Sequence, residues 1–366
     1  MRRTAQALVG LGISAGALWL TLRGKDLGAI WRAGREADHR YVAAYLLILV
    51  AIHYVRTVRW GILLEPVARV PFARLNGVCA VGFMALFILP LRLGEFARPY
   101  LVADRPRLRV SAALSSVVVE RVADGVFTAA LFVAALLALP AGTANLGLVR
   151  GAGWVVLGVF VVLLVFLVVA YANRQLAVGL ARRALAPVSQ RLANRAAGML
   201  DAFIHGLRLV PSRRKLGLFF LLTVVYWGLN GWGMQLLARG FGFDISLVAA
   251  YTVLGVLIVG VMIPAGPGMV GTFQYAVVLG LSLFVPRAAL DVQGQAYANV
   301  LWGAQLLQLT AFGVFFLFSK HIEIGRIFRA PAEVEEELEE EEAEYQAAEA
   351  LGKPAPTASD RRARPG

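Results

Sequence analysis

Pro90-Leu91-Arg92-Leu93-Gly94-Glu95-Phe96-Ala97-Arg98-Pro99 follows directly on an apolar run, Val78 to Leu91, that holds no charge. At ~1.5 Å per residue that run is too short to cross a hydrocarbon layer of ~30 Å comfortably. Proline and then glycine break the helix where the charges begin. Irregular backbone and ion pairs at membrane depth are tolerated only when buried in protein or lining a wet cavity. The stretch therefore reads as a half-helix that enters a bilayer, breaks, and presents Arg92, Glu95 and Arg98 to something polar. A second broken segment, residues 263–274, occupies a comparable place in the other half and contains Pro264, Gly266, Pro267, Gly268, Gly271 and Gln274.

The rest of the chain fits that reading. Of its 366 residues 59% are hydrophobic and 16% charged, more apolar surface than a water-soluble domain can bury. The expected fold is an all-α polytopic membrane protein with six to eight transmembrane helices and two broken, re-entrant segments. The net charge is +13, although residues 333–349 hold ten glutamates and no base; up to Ala330 there are 32 basic and 12 acidic residues. In a membrane protein such a surplus fixes orientation and meets anionic headgroups, so anionic lipid is the expected partner and nucleic acid is not. Cys79 is alone and the four histidines are scattered, so no disulfide, metal site or cofactor is expected.

Taken in order, helices are expected at about 5–22, 41–64, 111–139, 149–172, 216–238 and 297–319. The first follows Met-Arg-Arg like an uncleaved signal sequence and carries Gly12 and Gly16 at the spacing that lets helices approach. Residues 23–40 read as an interfacial amphipathic connector. His53, Arg56 and Arg59 share a face of the second helix, either snorkelling to the membrane edge or forming the cationic wall of a headgroup cavity. Glu120, Arg121 and Asp124 lie far inside an apolar helix, where charges must be paired or wetted. They read either as an ion-pair lock with Arg92 or Arg98, or as part of a substrate site.

A transmembrane domain over 1–330 is thus expected, its halves about 1–173 and 216–320. Between them, 174–215 carries eight arginines and a lysine and reads as a cytoplasmic amphipathic segment; 331–366 reads as a solvated tail open to a protein partner. If the two broken segments dip in from opposite sides, six full spans put every basic cluster and both termini in the cytoplasm of a bacterial inner membrane. Two oppositely inserted segments are what an inverted repeat would produce.

Three motifs, Pro90 to Pro99, Glu120-Arg121-Val122-Ala123-Asp124-Gly125, and Pro264 to Gln274, together resemble the lysylphosphatidylglycerol synthase transmembrane-region family, also called flippase-like domain proteins. The resemblance spans about 5–320. It implies movement of a charged lipid or lipid-linked headgroup between leaflets, with Arg92, Glu95, Arg98, Glu120, Arg121, Asp124, Gly266, Gly268, Gly271 and Gln274 as the substrate-binding set. About 46 residues follow the last helix, too few for the aminoacyl-transferase domain of the two-part enzymes, so lysyl transfer is not expected. Glutamine at 274, where relatives often carry glutamate, speaks against proton coupling there. The alternative is a membrane-embedded enzyme or an accessory protein of lipid or isoprenoid-linked glycan synthesis, with Glu95, Glu120 and Asp124 its acid–base candidates.

Overall fold

The computed structural model describes residues 2–88, 94–103, 108, 110–139, 146–185, 187, 211–262 and 266–318. Arg92, most of 186–210 and the tail from 319 lie outside them. The described chain is helical: α1 Arg2–Leu22, α2 Leu27–Glu36, α3 His39–Leu64, α4 Phe72–Ile88, α5 Ala97–Val102, α6 Val110–Leu137, α7 Leu146–Ala172, α8 Arg174–Leu185, α9 Arg213–Arg239, α10 Leu247–Met262, α11 Thr272–Leu281 and α12 Gln295–Leu317. Among the described residues three stretches, His39–Leu64, Arg213–Arg239 and Arg287–Leu317, are long and apolar enough to cross a bilayer. The last is longer than the sequence pattern indicates, because a π-helical turn over Leu290–Gly294 joins Arg287–Ala289 to α12. The protein is an all-α polytopic membrane protein.

Polar residues set the boundaries. Asp26 caps α2, its Oδ1 accepting the Ala29 N–H at 3.0 Å, and Asp38 caps α3 through the Arg40 N–H at 2.9 Å. These two caps make the connector a helix of its own. The lipid-facing side of α7 is a continuous apolar surface that includes Val155, Val162 and Val168, all exposed. Exposed aliphatics there match a hydrocarbon solvent.

A few contacts between helix ends define two opposite ends of the bundle. At one, Lys215 pairs with Glu65, and Arg74 Nη2 donates to the Val102 and Ala103 carbonyls at 3.4 Å. At the other, the Asp38 N–H donates to Gly240 O at 3.0 Å and Lys25 pairs with Asp291 at 3.4 Å. Hence α3 and α9 are antiparallel. The α4–α5 hairpin starts and finishes at the first end; α10–α11 starts and finishes at the second.

Both hairpins close on glycine. The turn Gly94–Phe96 returns the chain onto the backbone of Ala85 and Leu86, and a side chain at Gly94 would overlap it. In the other hairpin a methyl on Gly280 would lie 2.9 Å from Val253 Cα, so α10 and α11 meet backbone to backbone. Their tips come together: Phe87 stacks at a tilt 6.3 Å from Trp302 of α12, whose Nε1 donates to Gly268 O at 2.7 Å. Gly12 and Gly16 do not mediate packing as their spacing suggests, since a Cβ at either meets open space.

Candidate functional site

The charges of α3, α5 and α6 converge. Arg98 Nη1 donates to Glu120 Oε2 at 2.9 Å, with Arg98 3% exposed and Glu120 fully buried. Arg59 Nη2 donates to Asp124 Oδ1, which also accepts from Trp227 Nε1 at 3.2 Å. Arg121 lies 3.6 Å from Glu120 Oε2 and 3.5 Å from Asp124 Oδ2, bridging the two pairs along α6. Glu95, at the start of the return from the α4 tip, adds its charge to the field at Arg121. Four of the ten residues singled out from the sequence, Arg98, Glu120, Arg121 and Asp124, therefore meet in one cluster, with Glu95 near its Arg121 side; Arg92 lies outside the described residues.

Aromatic rings complete it. The Arg98 guanidinium sits over Phe83 at 4.4 Å and Trp60 at 5.0 Å, and Arg59 lies 5.0 Å from both Phe219 and Tyr226. Ring faces partly replace the hydration that burial removes from a cation. Arg98 reaches Glu120 across α4 at Gly82, where any side chain would collide with its Cγ.

His53 and Arg59 do not snorkel. His53 and Arg59 are fully buried. His53 Nε2 bonds Asn76 Oδ1 at 2.9 Å, which leaves Nδ1 facing Arg56 Nη2 at 3.5 Å. Arg56 is half-buried over Phe83 at 3.5 Å and has no carboxylate partner among the described residues. The sequence signal was the spacing of three basic residues in the C-terminal half of an apolar helix; the partners that hold them there come from α4, α6 and α9.

Ion pairing leaves the cluster incompletely satisfied. Among the described residues four guanidinium groups (Arg56, Arg59, Arg98, Arg121) stand against three carboxylates (Glu95, Glu120, Asp124), of which Glu120 and Asp124 are ion-paired with Arg59, Arg98 and Arg121. Arg56 Nε, Arg59 Nε and Nη1, Arg121 Nε and Glu120 Oε1 are buried without a hydrogen-bond partner among the described residues. Guanidinium donors are suited to bidentate contact with phosphate, and a surplus of them favours an anion.

The glycine loop meets α1 and caps α11. The Gly266 N–H donates to Ser14 Oγ of α1 at 2.8 Å, and the Gly271 N–H to Gln274 Oε1 at 2.8 Å. Gln274 is 3% exposed and caps its own helix. These groups tie α1, α11 and α12 together; α4 is one link between them and the charge cluster, its Phe83 meeting the arginines and its Phe87, one turn on, meeting Trp302 beside the loop. Gln274→Leu is expected to cost about 0.5–2 kcal/mol through the lost cap, read as a lower thermal midpoint in detergent with lipid selectivity unchanged.

Among the described residues no group of three or more His, Cys, Asp or Glu side chains is placed to hold a metal ion. No curated protein and no solved structure matches the chain. Residues 7–290 match the family described as Lysylphosphatidylglycerol synthase TM region, and the match covers all three motifs and both hairpins. With an all-α membrane fold and a cluster built from two of those motifs, the chain belongs to that family of lipid-related integral membrane proteins.

Proposed function

We propose that this protein moves an anionic phospholipid, or a lipid-linked phosphate, between leaflets by exposing its headgroup to the arginine cluster inside the bilayer. The observation that carries the reading is the surplus of buried guanidinium donors beside a half-buried Arg56. Charged groups inside a membrane are expensive, and replacing a buried ion pair by apolar packing is often neutral or stabilising. A cluster kept for stability alone would therefore be paired out, whereas one that binds an anion keeps donors in reserve.

In this reading Arg56 and Arg59 hold the phosphate, while Glu120 and Asp124 keep Arg98, Arg121 and Arg59 poised when the site is empty. Arg98 is committed to Glu120 and acts as a positioning residue. The α4–α5 and α10–α11 hairpins are re-entrant from opposite faces, and their meeting at Trp302 marks mid-membrane, where broken segments place transport sites. Lys215 and the basic segment before it face the cytoplasm of a bacterial inner membrane, as do both termini.

Leaflet exchange of labelled phosphatidylglycerol in proteoliposomes tests this. Arg56→Gln leaves every ion pair intact, so the variant should fold with an unchanged thermal midpoint. Its exchange rate should fall about ten-fold, the equivalent of one charge-assisted contact. A folded Arg56→Gln protein that exchanges lipid at the wild-type rate would refute the assignment.

A further inference from the structure

On the far side of α3 from the arginine cluster's α6 partners, α1, α2, α3 and α12 enclose a groove of about 520 Å³. Its walls are apolar: Leu18 and Leu22 of α1, Leu46 of α3, and Val300, Ala304 and Leu307 of α12. Two polar side chains line it, Asn299 and Arg35. Along α12 it runs from Ala296 to Leu307, roughly 16 Å at ~1.5 Å per residue, which is about half of a ~30 Å hydrocarbon layer. The groove is therefore about as long as one leaflet is thick.

Arg35 lies near its outer end, on the amphipathic helix α2. The neighbouring cations are engaged: Lys25 pairs with Asp291 at 3.4 Å, Arg32 lies 3.9 Å from Asp26, and Arg40 is 3.3 Å from Asp38. Arg35 is exposed and has no carboxylate partner among the described residues. Beside it, Trp31 is 70% exposed, placed as tryptophans are in a headgroup belt. A free guanidinium above an apolar trench of that length has the shape and charge of one ligand class.

We infer that this groove is a docking site for an anionic glycerophospholipid of the leaflet at this end, its acyl chain lying along α12 and its phosphate on Arg35. α12 ends at the opposite end of the bundle, packed on the cluster that contains Trp60, Leu64 and Leu75. Partway along α12 the groove passes Gly303, next to Trp302 and hence to the glycine loop and the α4 tip. A lipid held here stands beside the place where the two hairpins meet.

The test uses the full-length protein in nanodiscs, with phosphatidylglycerol or phosphatidylcholine carrying a photoreactive diazirine in one acyl chain. Cross-linked peptides are mapped by mass spectrometry. Labelling of α1 and of 296–307 is expected, about ten-fold stronger for phosphatidylglycerol, with Arg35→Gln removing that preference. Gly303→Leu should abolish labelling by both lipids without harming the fold, because its side chain projects into open space and leucine is the better helix former. Equal labelling by the two lipids, or labelling that survives Gly303→Leu, would overturn the inference. The readout is independent of leaflet exchange, so failure here leaves the transport assignment standing, and failure of transport leaves the groove.

Discussion

Asp124→Leu is expected to destabilise the protein by about 3–5 kcal/mol, because it strands a fully buried guanidinium. Asp124 accepts from Arg59 and from Trp227 and lies 3.5 Å from Arg121, and Arg59 has no other carboxylate in contact. The penalty is the desolvation of a charge left unpaired, not the worth of the pair. Two consequences separate those quantities. The double variant Arg59→Met/Asp124→Leu should regain most of the lost stability, since both charges are then gone and the volume is refilled. Leaflet exchange should stay abolished in the same variant, because a phosphate-binding donor has been removed. Thermal midpoints in detergent, read by size-exclusion chromatography, and exchange rates in proteoliposomes give the two answers. A single Asp124→Leu variant as stable as wild type would mean that Arg59 finds other partners.

Gly271→Ala is the second large effect expected, and it arises from the backbone. Gly271 has φ +87°, a conformation that costs an L-residue roughly 1–2 kcal/mol. Its new methyl would also lie 2.5 Å from Ser14 O and 2.6 Å from Leu18 N, backbone atoms of α1 that cannot rotate away. Relieving that overlap adds about 1–3 kcal/mol. The result should be a lower thermal midpoint and an α1 that no longer docks on α11. Gly12→Ala in the same helix is the control: its methyl meets open space, so stability should hold or rise by about 0.5–1 kcal/mol. If both alanines behave alike, the close approach of α1 to the loop is not what holds this hairpin in place.

The sequence by itself determined the fold class, most helix limits and the three motifs. Those are local consequences of apolar run length, of caps such as Asp26 and Asp38, and of proline and glycine where helices stop. It also marked Glu120, Arg121 and Asp124 as charges that had to be matched, since hydrocarbon gives no other choice. Only the tertiary structure decided the matching. Arg59 looked free to reach the membrane edge because its partner lies 65 residues away, on α6. Gln274 looked available to a ligand because nothing in its own helix reveals that the Gly271 N–H needs it. The groove under α2 was illegible for the same reason: its walls come from four helices, and Arg35 counts as unpaired only once Lys25, Arg32 and Arg40 have found their carboxylates. A sequence records what each segment requires; which distant segment supplies it is settled by packing.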